Sequence, residues 1–409
     1  MEFFSKGGKQ RYGLIVDIGS GSVLVGIVHS SKEGSHPSIV WSYREQAPLR
    51  KIDTIHQGAK GVMAALVNAC MKADSEGRAA LNAYDAGAKL STMQVAISAP
   101  WSYTVTKSVN YKNEEPFVIT REMIEDLLNS AQTTIDQELK EHETVSNLGL
   151  QIITRNTMSL LTNGYRVADP EGESAISLEL AQATVVAQQY LIDALLEMHD
   201  KLFPTTKMQK MSFILMLHST LRDFVPKSDE LCLVDVTYEA TEIGIVRDGI
   251  LRYSTHIPFG MFSLARELAE ITNQPLHESF AAVRSANIES ITNGLTEEKA
   301  KQVEEMLNTY TNKVSELFHE TGDTLSIPKR IALHIDHGAE PFFAKLIKNA
   351  AKRATHIEHT LISVSEEMVT KEYREELAKH VGSMCEDTAL AVNAAFFHKD
   401  DPGLGFVYH

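Results

Sequence analysis

Twice in this chain an apolar run ends on an aspartate, turns, and leaves as a second β-branched run. The first copy is Tyr12–His29, YGLIVDIGSGSVLVGIVH, and the second lies in Leu231–Pro258, LCLVDVTYEATEIGIVRDGILRYSTHIP. Strand, aspartate, turn, strand is the signature of a β-hairpin. Its recurrence predicts duplicated domains facing one another across a cleft. Gly19 and Gly21 let a backbone approach a bound group closely, and Ser20 and Ser22 add hydroxyls. Asp17 and Asp235, at strand ends, suit water molecules held by Mg²⁺, which prefers oxygen ligands. Phosphates would then lie between the hairpins, with Mg²⁺ near Asp17 and Asp235. An ordinary hairpin closed by an Asx-type turn uses the first set of residues equally well without a ligand.

Composition narrows the class. With 409 residues the chain can bury two or three cores. Its net charge of −15 argues against a nucleic-acid surface. Cys70, Cys232 and Cys385 have no CxxC spacing, so buried free thiols in a reducing compartment are expected. No apolar run reaches the length of a membrane span, and Phe3-Phe4 is not followed by a secretory h-region. A cytoplasmic protein is expected.

In chain order, residues 1–11 read as a flexible lead-in, with docking to a membrane or partner as the lesser alternative. Pro37–Arg44 is a third strand, and Ile55–Ala73 a helix with Ile55, Ala59, Val62, Met63, Leu66, Val67 and Cys70 on one face. Asp74–Leu90 reads as a linker or loose helix. Met93–Leu180 then forms a β-α-β-β unit that could stand as its own small domain. In it Thr120 caps a helix from Arg121 to about Leu139, Asn163-Gly164 makes a turn, and Trp101 packs internally. Beyond Gln188 the pattern predicts helix Tyr190–Phe203, strand Met211–Leu217, a short helix Thr220–Phe224 and the second hairpin. Three helices follow, the longest Glu297–Glu320, then strand Arg330–Ile335, helix Pro341–Lys352, strand Ile357–Val364 and helix Met384–Phe397.

These motifs resemble the actin-like proteins of bacteria, and among them the FtsA/PilM family. VDIGSGSV resembles the family's first phosphate hairpin. The second is matched in its hydrophobic layout, in Asp235, in the turn Arg247-Asp248-Gly249 and in Pro258-Phe259-Gly260. VAISAPWSY, VITREMIEDLL and LTNGYRVADPEGESAISLEL follow the order of the small domain that FtsA and PilM insert in their first lobe. The resemblance covers residues 12–398. It implies an α/β, two-lobed actin-like (ribonuclease-H-like) fold with a small inserted β-α-β-β domain of SHS2/1C type. The implied division is 12–92 and 181–227 for the first lobe, 93–180 for the insertion, 228–398 for the second lobe and 399–409 for a tail.

The resemblance also implies ATP and Mg²⁺ as cofactors, held by Asp17, Gly19, Ser20, Gly21, Ser22, Asp235, Thr237, Gly260 and Gly338, with Asp17 and Asp235 on the metal side through water. The chain departs from the family at three points. Its second turn carries Thr237, Tyr238 and Glu239 in place of glycines. Only Gly338 remains of the adenosine-side glycines, and Leu24 replaces a frequent lysine. Either His334, Asp336 and His337 make substitute contacts to a weakened nucleotide, or the site is vestigial and the fold serves as a scaffold. Asp336-His337 reads as a polar loop, with a metal site as the alternative.

FtsA-like proteins polymerise beneath the membrane, and PilM-like proteins form a ring that binds a peptide of an inner-membrane pilus protein. The resemblance therefore implies a scaffold that self-associates into a filament or ring and recruits division or pilus proteins at the inner membrane, and at most a slow ATPase. The ending KDDPGLGFVYH lacks an amphipathic helix such as FtsA carries, which weakens a self-anchored FtsA reading, and the short Phe/Lys stretch before the first strand looks more like PilM. The competing class is a small-molecule kinase of the same superfamily, which needs intact phosphate hairpins and a carboxylate base.

Overall fold

The computed structural model describes residues 10–31, 36–48, 55–141, 149–285, 291–324, 326–335, 340–365, 368–369 and 387–399. Three strands open the chain as an antiparallel meander: β1 (Gln10–Ile18), β2 (Ser22–Ser31) and β3 (Ser38–Gln46). Helix α1 (Ile55–Lys72), one π-helical turn (Ala73–Gly77) and α2 (Arg78–Tyr84) carry the chain back over the sheet. This crossover delivers β4 (Leu90–Ile97) parallel to β1, as a parallel neighbour requires. With β9 (Lys207–Ser212) the first sheet has the order β3-β2-β1-β4-β9.

The second sheet repeats this plan. β10 (Leu231–Val236), β11 (Thr241–Arg247) and β12 (Ile250–Ile257) form the meander, and β13 (Arg330–Ile335) and β14 (Thr360–Ser363) add in parallel. The order is β12-β11-β10-β13-β14. The repetition is residue-exact around the turns. Asp17 pairs with Leu24 and Asp235 with Glu242 at corresponding positions. Each turn is closed by the same bond, Gly19 N–H to Ser22 O and Thr237 N–H to Ala240 O, both 2.9 Å.

Between β4 and β9 the chain builds a third sheet from β5 (Ser102–Val118), β6 (Leu150–Thr162), β7 (Tyr165–Arg166) and β8 (Ser174–Gln188), in the order β5-β8-β6-β7. Helix α3 (Arg121–Glu141), whose Met123 N–H is capped by Thr120 Oγ1, covers one face through Ile124, Leu128 and Ala131. The opposite face, with Ala181, Ala183 and Val185, belongs to a core shared by both lobes. That core also takes in α5 (Phe213–Phe224) and α10 (Thr388–Lys399). Two edges complete the junction. Ser254 Oγ of β12 donates to Thr104 O of β5 and accepts from Thr104 N–H, at 3.1 and 3.4 Å.

Helices α1 and α4 (Gln189–Leu202) line the core of the first sheet. Helices α6 (Met261–Thr272), α7 (Leu276–Ser285), α8 (Glu297–Thr324) and α9 (Glu340–Thr355) line that of the second. On α8 the buried stripe is Val303, Met306, Leu307, Tyr310, Val314, Leu317 and Phe318, an amphipathic packing face.

Several expectations are corrected. Met211–Leu217 is not a strand: β9 ends at Ser212 and the rest begins α5, whose apolar run is buried on every side. Met93–Ile97 is a central strand of the first sheet, so the inserted sheet starts at Ser102 and extends to Gln188. Trp101 packs in the first lobe rather than within the insertion. The flexible lead-in cannot include Gln10 and Arg11, which begin β1; Arg11 donates to Phe397 O at 2.8 Å. The last helix, α10, lies against the first sheet: Gly13 has no side chain because the Phe397 ring occupies that space, and Ser30 Oγ bonds His398 Nδ1. Cys70 and Cys232 are buried free thiols, while Cys385 lies outside the described residues, as does the predicted start of the last helix at Met384.

Candidate functional site

The two aspartate-bearing turns meet. Ser20 Oγ lies 2.7 Å from Thr237 Oγ1 and accepts the Glu239 backbone N–H at 2.7 Å. Thr237 Oγ1 also lies 3.1 Å from Ala240 O. A Cβ on Gly21 would stand 2.7 Å from Tyr238 Cβ and 3.1 Å from the Phe262 ring, so this glycine makes room for the other turn. Tyr238 is buried among Phe262 and Phe280, at ring-centroid separations of 4.6 and 5.7 Å.

The remaining groups of the first turn are engaged as well. Ser22 Oγ receives Arg44 Nη1 at 2.7 Å, and the same guanidinium grips Asp387 through two bonds of 2.7 and 2.9 Å. Asp387 in turn accepts from Leu390 N–H at the start of α10. The carbonyl of Gly19 takes Trp101 Nε1–H at 3.0 Å. Gly260 serves close packing too. A Cβ there would fall 2.4 Å from Thr237 O, while Met261 and Phe262 N–H donate to Thr237 and Tyr238 carbonyls.

Asp17 and Asp235 are both buried, 3% and 0% exposed, at the ends of β1 and β10. Asp235 Oδ1 is 2.7 Å from His334 Nδ1, and the His334 ring packs on Phe213 at 4.8 Å. His334, considered as a substitute nucleotide contact, is thus 1% exposed and committed to Asp235. Opposite Asp235 on β11 sits Glu242, whose carboxyl is pushed well up by burial and by the Asp235 charge, against a bond from Ala99 N–H. Among the described residues no three His, Cys, Asp or Glu side chains are arranged to hold a metal ion. Gly338, Asp336 and His337 lie outside the described residues.

Sequence reasoning did not single out Arg44, Arg266 or Glu242. Arg266 on α6 holds Glu239 in a two-bond fork, Nη1 to Oε1 at 2.7 Å and Nη2 to Oε2 at 2.6 Å. The side chains are 21% and 14% exposed. Arg266 also lines an open groove of about 530 Å³ along α6, with Phe259, Ser263, Glu267, Glu270 and Leu276. Burial raises the Glu267 carboxyl there, opposed by the Lys313 charge. Glu239, which the sequence showed in place of a glycine, corresponds to Gly21 when the two turns are superposed.

The resemblance read from the sequence implies a nucleotide bridging the turns, and these contacts bear on it. Ser20, Ser22 and Thr237, which would face phosphates, all bond to protein groups, and Gly21 touches Tyr238. The two turns therefore meet directly, with these hydroxyls already paired within the protein.

No protein-family model and no curated protein matches the chain. Among solved structures it is similar to a chain of a PilM–PilN type IV pilus biogenesis complex. The identity is 13%, covering 94% of this chain and 98% of that one, with a TM-score of 0.56. It also aligns with the ethanolamine utilization protein EutJ from Carboxydothermus hydrogenoformans, at 10% identity over 93% and 89% of the chains and a TM-score of 0.41. A third is a Bacteroides thetaiotaomicron protein with an actin-like ATPase fold, at 10% identity, 88% and 94% coverage and a TM-score of 0.39. The first of these supports the fold: this chain has a two-lobed actin-like architecture.

Proposed function

We propose that this protein is an assembly scaffold of PilM type, which uses the actin-like body to present surfaces to partners and not to turn over a small molecule. The observation that carries this is the direct contact of Ser20 with Thr237 and Glu239. In this fold nucleotide joins the lobes across the space between the turns; here protein groups join them. The likeness to a chain of a PilM–PilN complex supports a partner-binding role. No helix among the described residues is long and apolar enough to cross a membrane; in this reading recruitment to one goes through a partner. That partner is a segment of a pilus or division protein of the inner membrane, with further copies of the chain forming a ring or filament on the cytoplasmic side.

In this reading β5 to β8 with α3 are the 1C/SHS2 unit and contribute to partner binding. Nucleotide binding is weak, with Gly19, Ser20, Gly21, Ser22, Thr237 and Gly260 on the phosphate side and Asp17 and Asp235 towards Mg²⁺ through water. Sedimentation velocity with and without Mg²⁺ and ATP, beside a panel of phosphate acceptors, tests the proposal. Self-association or capture of a pilus or division segment, with no phosphorylated product, is expected. Sustained phosphorylation of a small acceptor would replace the scaffold with the kinase alternative.

A further inference from the structure

Around the turn that joins β11 to β12, arginines arrive from three different parts of the chain. Arg166 on β7 donates to Asp248 O at 2.9 Å. Its guanidinium and Asp229 Oδ1 fill the space that a Cβ on Gly249 would need, at 3.1 and 2.8 Å. Arg252 on β12 donates to Ser108 Oγ and stands 3.7 Å from both Asp248 Oδ2 and Glu179 Oε1, too far for a hydrogen bond. Arg222 lies in the last turn of α5, where Ser228 Oγ, next to Asp229, bonds its carbonyl at 3.3 Å. Its guanidinium makes no hydrogen bond or ion pair among the described residues. Arg166 and Arg222 are exposed.

The carboxylates present do not balance this cluster. Burial lowers the Arg166 pKa, and after it the Arg222 charge outweighs Asp229 and the Arg252 charge outweighs Asp248. The same field reaches His218, one turn earlier on α5 and 2% exposed, where burial and then the Arg222 and Arg166 charges hold the imidazole neutral. In a chain of net charge −15 this is a local excess of positive charge.

We propose that Arg166, Arg222 and Arg252 form a binding site for a phosphate group, at the seam between the insertion and the second lobe. Guanidinium groups pair with carboxylate and phosphate alike, so charge and oxygen count decide between them. A carboxylate brings two oxygens and one charge, which a single fork satisfies, and Asp229 and Asp248 are of that kind already. A phosphate brings three acceptor oxygens and close to two charges near pH 7, and can accept from guanidinium groups on β7, α5 and β12 together. The site is separate from the aspartate turns, because Asp248 follows the opposite end of β11 from Thr241. It requires neither a nucleotide between those turns nor self-association. Its occupant adds a link between insertion and second lobe to the one that Ser254 and Thr104 make.

The test is a calorimetric titration of the purified full chain at low ionic strength, with inorganic phosphate, with glycerol 3-phosphate and with a hexaglutamate peptide. Saturable binding of a phosphate probe is expected, weakened about tenfold or more in Arg222→Ala and in Arg166→Ala, the factor that a lost charge-assisted bond represents. Arg222→Lys keeps the charge without the fork and should also bind less tightly than the parent. Arg121→Ala, which removes an exposed arginine from α3, should bind as the parent does. Bound phosphate should slow amide exchange at Arg166 and Gly249. Equal affinity for the two phosphate probes assigns the site to the free ion, and a preference for glycerol 3-phosphate assigns it to an esterified group. Far-UV spectra and urea midpoints establish that the variants are folded. Phosphate binding retained in full by folded Arg166→Ala and Arg222→Ala overturns the proposal, as does the lack of saturable phosphate binding, with or without capture of hexaglutamate.

Discussion

Replacing Gly21 by alanine tests the contact between the lobes with a single methyl group. No left-handed backbone angle restricts position 21, so alanine meets no backbone penalty there. What it meets is Tyr238 Cβ at 2.7 Å, a point fixed to the backbone of the other turn and unable to swing away. Restoring van der Waals distance requires the turns to part by roughly 1 Å. At that separation the 2.7 Å bonds from Ser20 to Thr237 and to Glu239 N–H are no longer hydrogen bonds. Overpacking of this kind costs about 1–3 kcal/mol and each lost bond about 0.5–1.5 kcal/mol, together about 2–6 kcal/mol.

Two measurements check this. Urea denaturation gives the total, and amide hydrogen exchange at Glu239 reports locally whether Ser20 still holds its N–H. The second partner of the cycle must be Tyr238→Gly, because Tyr238→Ala leaves the offending Cβ in place. In the Tyr238→Gly background the turns need not part, so the cost of Gly21→Ala should fall by most of that total of about 2–6 kcal/mol. Additivity within about 0.5 kcal/mol, or unchanged exchange at Glu239 in Gly21→Ala, would refute the close contact.

Three further outcomes follow from the packing. Burial, followed by the Arg222 and Arg166 charges, lowers His218 from 6.5 to about 3. Below pH 6.5 the unfolded chain takes up a proton that the folded chain refuses. Stability contributed above that pH is lost on acidification, by up to about 1.4 kcal/mol per pH unit, and His218→Phe should flatten the slope in urea midpoints taken from pH 7.5 to 4.5; equal slopes in variant and parent would contradict it. Phe397→Ala empties the space that Gly13 leaves on the first sheet and should cost about 3–5 kcal/mol by urea denaturation. Ser254→Ala removes the side-chain bridge between β12 and β5 and should cost about 1–3 kcal/mol, with faster exchange at the Thr104 amide.

What was legible in the chain was whatever is local. The two hairpins, the Thr120 cap, the Asn163-Gly164 turn and the stripe on α8 are decided by residues within a few positions of one another, and each forms as its pattern predicts. The misread segment, Met211–Leu217, is a short run whose one polar residue, Ser212, is too little to set a period. Periodicity cannot tell a fully buried helix from a buried strand. The separability of the insertion was misjudged for a related reason. Ala181, Ala183 and Val185 alternate like any half-buried strand, and nothing in their spacing says that the apolar surface opposite belongs to other parts of the chain.

The closed site was harder to see because a glycine signals room and does not say what fills it. Gly19, Gly21 and the serines between and after them describe a turn with space in front of it, which suits a phosphate or another piece of backbone. The deciding information is in the second turn. Superposing the two turns sets Ser20 against Tyr238 and Gly21 against Glu239. Small residues in both would leave a gap wide enough for a ligand, and large residues in both would hold the lobes apart. One of each lets Tyr238 pack flush against Gly21, with Ser20 left to bind the amide that follows. The asymmetry of two otherwise matching turns therefore specifies closure by protein.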